Sequence, residues 1–105
     1  MKMIRCVIRP EKEQDVVKNL EKSGFTALTK VDVLGRGKQK GIQVGSARYD
    51  ELAKTMYMIV VEDEEFPRCM DALKTGARTG NPGDGKIFVT EVDEAITIRT
   101  GEKVL

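Results

Sequence analysis

The first third of the chain shows two kinds of hydrophobic spacing. Over 3–8, a period of two puts Ile4, Cys6 and Ile8 on one apolar face and Met3, Arg5 and Val7 on the other, which predicts a β-strand. After Pro10 the apolar residues recur at helical spacing over 11–23, and Gly24 stands where a helix C-cap belongs. Residues 25–34 then predict a second strand, which ends in a glycine-rich segment. The pattern so far is strand, helix, strand.

The second half repeats this order after a polar stretch. Residues 42–54 show no sustained period and indicate a loop, whereas 55–62 predict a third strand. A second helix follows an acidic run and Pro67, because acidic residues and proline suit the first turn of a helix. A strand over 86–92 and a short strand over 95–99 complete the pattern. The apolar stripe of the second helix consists of Phe66, Cys69, Met70, Leu73 and Ala77.

Two strand–helix–strand units predict the fold class. A chain of 105 residues is expected to form one domain, spanning 1–105. The order describes an α+β, ferredoxin-like βαββαβ sandwich, with both helices on one face of an antiparallel sheet, a mobile loop and a short C-terminal strand. A domain of this size buries about 60–70% of its unfolded surface, so it can fold alone but gains stability from association.

Charge and thiol content narrow the function classes. The chain has 18 Lys and Arg against 17 Asp and Glu, and this balance gives no general field for nucleic acid or an anionic membrane. Histidine is absent, which excludes His-based catalysis and imidazole zinc sites. Cys6 and Cys69 lie among apolar residues without a CxxC partner, so we interpret them as reduced core residues. Reduced thiols and the lack of a long apolar run predict a cytoplasmic protein without membrane insertion.

Residues 79–89 carry the clearest ligand signal. Their glycines leave backbone amides open to a ligand and Lys86 adds a positive charge, which together indicate a cradle for phosphate. The spacing is close to that of a P-loop, but Ile87 stands where a Ser or Thr should bind magnesium. A strand also follows where a P-loop requires a helix. The alternative is a simple turn between a helix and a strand.

A second glycine-rich, basic segment spans 35–41. Its spacing is one residue too long for a dinucleotide fingerprint, and no helix follows it. Taken alone, it is typical of a flexible basic loop. Because both glycine-rich segments contain lysine and lie at strand ends, the pair could line a cleft for a polyphosphate ligand.

Three motifs, in order, give the chain a specific resemblance to the PII nitrogen-regulatory family. Residues 35–41 resemble the start of that family's T-loop, Thr79 with 83–89 matches its C-terminal signature, and 98–102 resembles its Ile-Arg-Thr-Gly-Glu element. The resemblance extends along nearly the whole chain. It implies a trimeric βαββαβ protein with a T-loop over 37–54 and nucleotide clefts between subunits.

The resemblance also implies a site for ATP or ADP. Gly83, Asp84, Gly85 and Lys86 would hold the phosphates, and Arg99 would reach in from the neighbouring subunit. The resemblance assigns further positions to the nucleotide: Val7 and Val60 as apolar positions near it, Thr29 as a contact near the base, and Gly35, Gly37, Lys38 and Gln39 beside the phosphates.

A site for 2-oxoglutarate beside MgATP is implied as well. Gln39 would complete the coordination of Mg²⁺ as a neutral oxygen ligand. The amides near Lys40 and Gly41, with the ammonium group of Lys54, would hold the dicarboxylate. Without the family resemblance, the sequence around Lys54 strongly favours a solvated loop lysine.

Departures from typical bacterial members point to one branch. The T-loop is shorter, and Tyr49 stands outside the Tyr-Arg-Gly element whose tyrosine is the usual uridylylation target. Met58 replaces a glutamate of many members, and Thr97 replaces one of two arginines. The short loop and the glycine runs look most like the first of the paired PII paralogues encoded with nitrogenase genes in methanogenic archaea and some bacteria.

That branch implies a homotrimer, or a mixed oligomer with a PII paralogue, that inhibits dinitrogenase through the T-loop when fixed nitrogen is plentiful. 2-Oxoglutarate with ATP would relieve the inhibition. Another target, such as an ammonium transporter or glutamine synthetase, is the alternative. An ATPase or phosphotransferase would need acid–base groups at the site, but the chain has no histidine and Met58 removes a possible carboxylate base. We therefore predict a regulator with at most weak ATP hydrolysis. An RNA-binding domain would need aromatic residues on its central strands, where Tyr57 is the sole candidate.

Overall fold

The computed structural model describes residues 1–36, 42–44, 47–49 and 51–105, and of the two short internal segments it describes the backbone. Within these ranges, neither helix has the length and apolar character needed to cross a bilayer. The elements are β1 (Lys2–Ile8), α1 (Glu13–Lys22), β2 (Thr29–Gly35), β3 (Ile42–Val44), β4 (Ala47–Tyr49), β5 (Leu52–Val61), α2 (Phe66–Ala77) and β6 (Gly85–Glu91).

Four strands form one antiparallel sheet in the order β2, β5, β1, β6, and β3 with β4 forms a separate hairpin. The end of β1 lies beside the start of β6, where Ile8 pairs with Gly85. The end of β2 lies beside the start of β5, where Gly35 pairs with Leu52. Since Ile8 also pairs with Thr55 of β5, both glycine-rich segments lie at the same end of the sheet.

The core lies between the sheet and the two helices. Every second residue of β1 and β5 points to this side, as the alternating pattern predicts. The helices approach each other closely at Gly76, where an added Cβ would lie 2.8 Å from the Cα of Val16. Both free cysteines are buried here, and burial raises the pKa of each thiol to about 11. The largest fully buried side chains are Ile4, Ile8, Val16, Leu20, Val61 and Leu73.

This architecture confirms the predicted α+β ferredoxin-like class, with two shifted boundaries. Helix α1 begins at Glu13 because Pro10 first opens a 3-10 turn over Pro10–Lys12. Strand β2 begins at Thr29, later than the predicted residue 25. The reason is that the Phe25 amide donates to the carbonyl of Leu20 and so completes the end of α1.

Residues 42–54 contain more regular structure than the loop that the sequence predicts. Strands β3 and β4 pair Ile42 with Tyr49, and β5 begins at Leu52. Three-residue strands are too short to produce a recognisable period, which is why the pattern missed them. Several T-loop residues lie outside the described ranges, so the expected mobility of 37–54 stays a prediction. Those residues are 37–41, 45, 46 and 50.

The short C-terminal strand predicted over 95–99 is wrong. The chain instead makes a turn in which the Gly101 amide donates to the Thr97 carbonyl at 2.7 Å, and the Thr97 amide donates to the Glu102 carbonyl at 2.9 Å. A strand forms only beside another strand, and within the described ranges this segment pairs with none. The alternation of Ile96 and Ile98 therefore has no sheet face to cover.

The sheet face opposite the helices is mostly apolar and left uncovered by the described residues. On the central strands, alternate residues that point away from the core are half-buried. At the edges, Val31 is 38% exposed and Phe88 is 51% exposed, and the register places both on this side. We call this surface the open sheet face. It consists of Met3, Val7, Val31, Met56, Met58, Val60 and Phe88, and Arg5 lies on the same face between Met58 and Phe88.

Candidate effector-binding site

Asp84 organises the glycine-rich segment between α2 and β6. Its carboxylate accepts hydrogen bonds from the backbone amides of Thr79 at 2.9 Å and Gly80 at 2.8 Å, and from the Thr79 hydroxyl. The Thr79 hydroxyl oxygen in turn accepts from the amide of Asn81 at 3.2 Å. We call residues 79–84 the Asp84 loop. Because one side chain closes it from within, the loop has a defined shape without a ligand.

Arg9 fastens the Asp84 loop to the end of β1. Its Nε lies 3.1 Å from a carboxylate oxygen of Asp84, and its Nη2 donates to the Pro82 carbonyl at 2.5 Å. No sequence motif marks Arg9 as part of the site. Arg9 and Asp84 are 75 positions apart, and the contact arises because the end of β1 meets the start of β6.

Gly85 lets the loop approach β1 at van der Waals distance. Its φ is +108°, and a Cβ added there would lie 1.7 Å from the carbonyl oxygen of Val7. Only glycine satisfies both conditions, since the backbone of a central strand cannot move aside. The glycine at 85 is therefore required for close strand packing, whatever the loop binds.

Lys54 stands between the two glycine-rich segments. Its ammonium group donates to the carbonyl of Gly83 at 2.6 Å, and a Cβ at Gly35 would lie 3.2 Å from its Cγ. Burial of the ammonium lowers the pKa of Lys54 below its ordinary value, and the Arg9 guanidinium lowers it further. A cation held near another cation is stabilised by an anion, so this position favours an anionic ligand.

The other predicted nucleotide residues extend along the sheet from this point. Lys86 is exposed and pairs with Val7. Thr29 lies at the far end of β2 from Gly35, about 20 Å away along the strand. Val60 pairs with Met3 toward the same far end. The structure thus places the phosphate-type residues and Val7 at one end of the sheet, and Thr29 and Val60 toward the other.

Arg99 lies apart from this group. It occupies the turn that follows Thr97, it forms no ion pair with any other described residue, and the adjacent Ile98 is 98% exposed. The predicted ligands Gly37, Lys38, Gln39, Lys40 and Gly41 lie outside the described residues. Within the part of the chain that is described, no three Cys, Asp or Glu side chains converge as a metal site.

We predict that Asp84→Asn weakens the fold in a pH-dependent way. Hydrogen bonds from Thr79, Gly80 and Arg9 hold the pKa of Asp84 well below its ordinary value. A carboxylate whose pKa is lower in the folded state stabilises the protein above the pKa of the unfolded state, about 4, and loses that contribution as the pH falls below it. In the variant, the side-chain NH₂ group of asparagine would also face the donor groups of Thr79, Gly80 or Arg9, with which it cannot form a hydrogen bond.

The measurement is urea unfolding of both proteins between pH 7 and pH 2. The wild type should have the larger free energy of unfolding at pH 5–7, and the difference between the two proteins should narrow below about pH 4. Asp71→Asn, at an exposed position of α2, is the matched control and should leave no gap. A gap that stays constant down to pH 2 would contradict the role assigned to Asp84.

The fold and the site define a ferredoxin-like α+β protein with a preformed, cation-lined loop at one end of its sheet. Comparison with known proteins gives the family. The sequence profile of the family described as nitrogen regulatory protein P-II matches residues 1–102, and the chain belongs to this family.

Curated relatives cover the chain almost completely. A nitrogen fixation nifHD1 region GlnB-like protein 1 from Methanosarcina barkeri is 56% identical over 97% of each chain. A nitrogen fixation nifHD region glnB-like protein 1 from Methanococcus maripaludis is 57% identical over 95% of each chain. A nitrogen regulatory protein P-II 2 from Methanothermobacter thermautotrophicus is 44% identical over 97% of this chain and 92% of its own. The resemblance to the PII family, inferred from three motifs, and to its nitrogenase-associated branch, inferred from the short T-loop and the glycine runs, is confirmed.

Proposed function

We propose that the chain is a PII-type signal transducer that binds ATP or ADP and 2-oxoglutarate and inhibits nitrogenase when fixed nitrogen is plentiful. One observation carries this proposal: the Asp84 loop meets Lys54 at the base of the T-loop. An anion bound there would contact the loop and the first strand that leaves the T-loop together. Family membership and the nitrogen-fixation names of the relatives support the same conclusion.

The residues at the Asp84 loop fit a polyphosphate. Arg9, Lys54 and Lys86 supply positive charge around a backbone that glycine keeps free of side chains. The Asp84 carboxylate already accepts hydrogen bonds from the loop and carries negative charge, so a direct phosphate contact from it is unfavourable. In the proposal Gly83, Gly85 and Lys86 bind phosphate, and Asp84 positions them.

2-Oxoglutarate would bind at the T-loop side of this site. Gln39 and the nucleotide phosphates would hold Mg²⁺, and the amides near Lys40 and Gly41 would bind the dicarboxylate. Lys54 would supply the counter-charge, because its ammonium group lies at the loop and carboxylate is a better acceptor than the Gly83 carbonyl. Mg²⁺ supplies charge neutralisation between the two anions when bound.

The open sheet face supports an oligomer. An apolar surface over the centre of a sheet is costly to leave in water, and contact with further copies of the chain would remove it from water. A trimer, formed by this chain alone or with a PII paralogue, would cover the face. It would also bring the exposed turn with Arg99 to a neighbour's nucleotide.

Switching would follow from ligand preference for one T-loop arrangement. A ligand shifts a conformational equilibrium only as far as its affinities for the two states differ. 2-Oxoglutarate contacts both Lys54 and the T-loop in this proposal, so it favours the arrangement that releases the target. The single domain over 1–105, the cytoplasmic location and the lack of a physiological enzymatic reaction belong to the same proposal.

We predict that deleting residues 42–50 separates ligand binding from inhibition. The deletion removes β3 and β4 but keeps the Asp84 loop and Lys54, so nucleotide affinity should stay within about twofold. Inhibition of purified dinitrogenase, assayed with and without the paralogue, should be lost. With the wild-type protein, MgATP and 2-oxoglutarate together should relieve inhibition. Equal inhibition by the deletion variant, or none by the wild type, would contradict the proposed target interaction.

A further inference from the structure

The carboxylate of Glu13 joins three elements at the base of the T-loop. Glu13 is the first residue of α1. One of its oxygens accepts a hydrogen bond from the hydroxyl of Thr55 in β5, and the other lies 3.1 Å from the ammonium nitrogen of Lys30 in β2. Lys30 is also 3.8 Å from Asp32 on its own strand. A single side chain therefore connects α1 to both strands that lead into the T-loop.

Thr55 is buried, so its hydroxyl group needs a hydrogen-bond partner within the protein. Thr55 is 1% exposed and is the one polar side chain among the described residues of the core. Its hydroxyl would be left without a partner if the carboxylate were removed, and an unpaired buried hydroxyl is costly. The hydrogen bond from Thr55, with the charge of Lys30, holds the pKa of Glu13 below its ordinary value. The group is thus ionised and bound at neutral pH.

Thr55 and Lys54 are neighbours on β5 and point to opposite faces of the sheet. Fixing Thr55 on the core side consequently fixes the backbone from which Lys54 extends toward the Gly83 carbonyl. Arg9, which binds the Asp84 loop, lies four residues before Glu13, between the end of β1 and the 3-10 turn. The contacts that hold the loop and the contacts that hold Thr55 therefore both come from the short segment 9–13.

We propose that Glu13 is a positioning residue that holds Lys54 against the Asp84 loop through Thr55. Glu13 contacts neither the loop nor the expected position of a ligand. Its consequence for 2-oxoglutarate rests on the proposed function, whereas its effect on Lys54 and Gly83 exists in the protein without ligand. No sequence motif marks this residue, because its partners are 17 and 42 positions away.

The test uses three variants of the full chain. Glu13→Ala removes both contacts. Glu13→Gln keeps an oxygen that accepts from Thr55 but loses the charge that pairs with Lys30. Asp15→Asn is the matched control, since Asp15 also lies in the first turn of α1 but pairs with Lys12 of the preceding turn at 2.8 Å. Any general effect of charge at the helix N-terminus is common to all three.

The first readout is the ¹H–¹⁵N NMR spectrum without ligand. Glu13→Ala should shift the amide signals of Gly83 and Asp84 and the side-chain signals of Lys54, Glu13→Gln should shift them less, and Asp15→Asn should leave them in place. If Glu13→Ala fails to fold, Glu13→Gln carries the comparison alone. Unchanged Gly83 and Lys54 signals in the folded Glu13 variants would overturn the proposal.

The second readout is calorimetric. Glu13→Ala should weaken 2-oxoglutarate binding about tenfold at saturating MgATP and leave MgATP affinity within about twofold. A merely structural role would lower the melting temperature and change neither affinity, and that result would overturn the proposal. If the wild type binds no 2-oxoglutarate, the proposed function fails, while the NMR comparison still decides the role of Glu13.

Discussion

Replacing Gly85 by alanine will destabilise the protein by at least about 3 kcal/mol. A residue with a side chain pays about 1–2 kcal/mol to adopt a left-handed conformation. At Gly85 the new Cβ would also lie 1.7 Å from the Val7 carbonyl oxygen, which belongs to a central strand and cannot move alone. Relief requires separation of β6 from β1, and such steric conflicts give the large values among single substitutions.

Gly80→Ala is the control that separates the cost of the steric overlap with Val7 from the cost of the backbone conformation. Gly80 has a φ of +90°, but nothing lies within 4 Å of the position where its Cβ would be. It should therefore cost about 1–2 kcal/mol, from conformation alone. Urea unfolding followed by far-UV circular dichroism gives both values. Equal costs for the two variants would mean that β1 and β6 are not packed as closely as the structure has them.

Placing a charge at the centre of the open sheet face will prevent assembly. Met56 lies between Val7 on β1 and Val31 on β2, so Met56→Glu sets a carboxylate among apolar neighbours. In a single chain the residue is half-buried and its carboxylate stays partly hydrated, so the monomer should fold. In an oligomer the carboxylate would lose its hydration, and the Arg5 and Lys54 side chains on the same face offset that loss only in part, so burial should cost several kcal/mol in each subunit.

Light scattering after size exclusion at about 10 μM chain measures the effect. The wild type should have three times the 11.7 kDa mass of one chain, and Met56→Glu should have the mass of one. Thr75→Glu, at an exposed position of α2, adds the same charge away from the face and should remain a trimer. A trimeric Met56→Glu variant, or a monomeric wild type, would show that the open sheet face is not the interface.

The sequence predicts the long elements and misses those that depend on distant partners. Strands β1 and β5 alternate for seven residues or more against a common core, so their pattern is clear, and β6 is recognisable from its short apolar run over 87–89. Ile96 and Ile98 alternate as well, but none of the strands in the described ranges lies beside them, and the predicted strand does not form. Alternating apolar residues indicate that a segment could form one face of a strand, but they do not indicate whether a neighbouring strand is present to pair with it.

In the candidate site, too, some residues are recognisable from the local sequence and others depend on distant contacts. Glycine and lysine at 79–86 were recognisable, because φ values above zero and phosphate chemistry both select these residue types locally. Arg9 and Glu13 carry no such local signal. Each acquires its function from the sheet order, which brings the end of β1 and the start of α1 beside the Asp84 loop and Lys54. Asp84 was recognised by its position, but its contacts assign it to the loop itself.

Titration calorimetry with 2-oxoglutarate, first without MgATP and then with saturating MgATP, tests the central claim most directly. In the proposed site, the nucleotide and 2-oxoglutarate share the magnesium ligand and the Asp84 loop. Binding of 2-oxoglutarate should therefore be detected only when MgATP is present. Binding of 2-oxoglutarate that is equally strong without MgATP, or absent in both titrations, would contradict the account of Lys54 and the Asp84 loop as one coupled effector site.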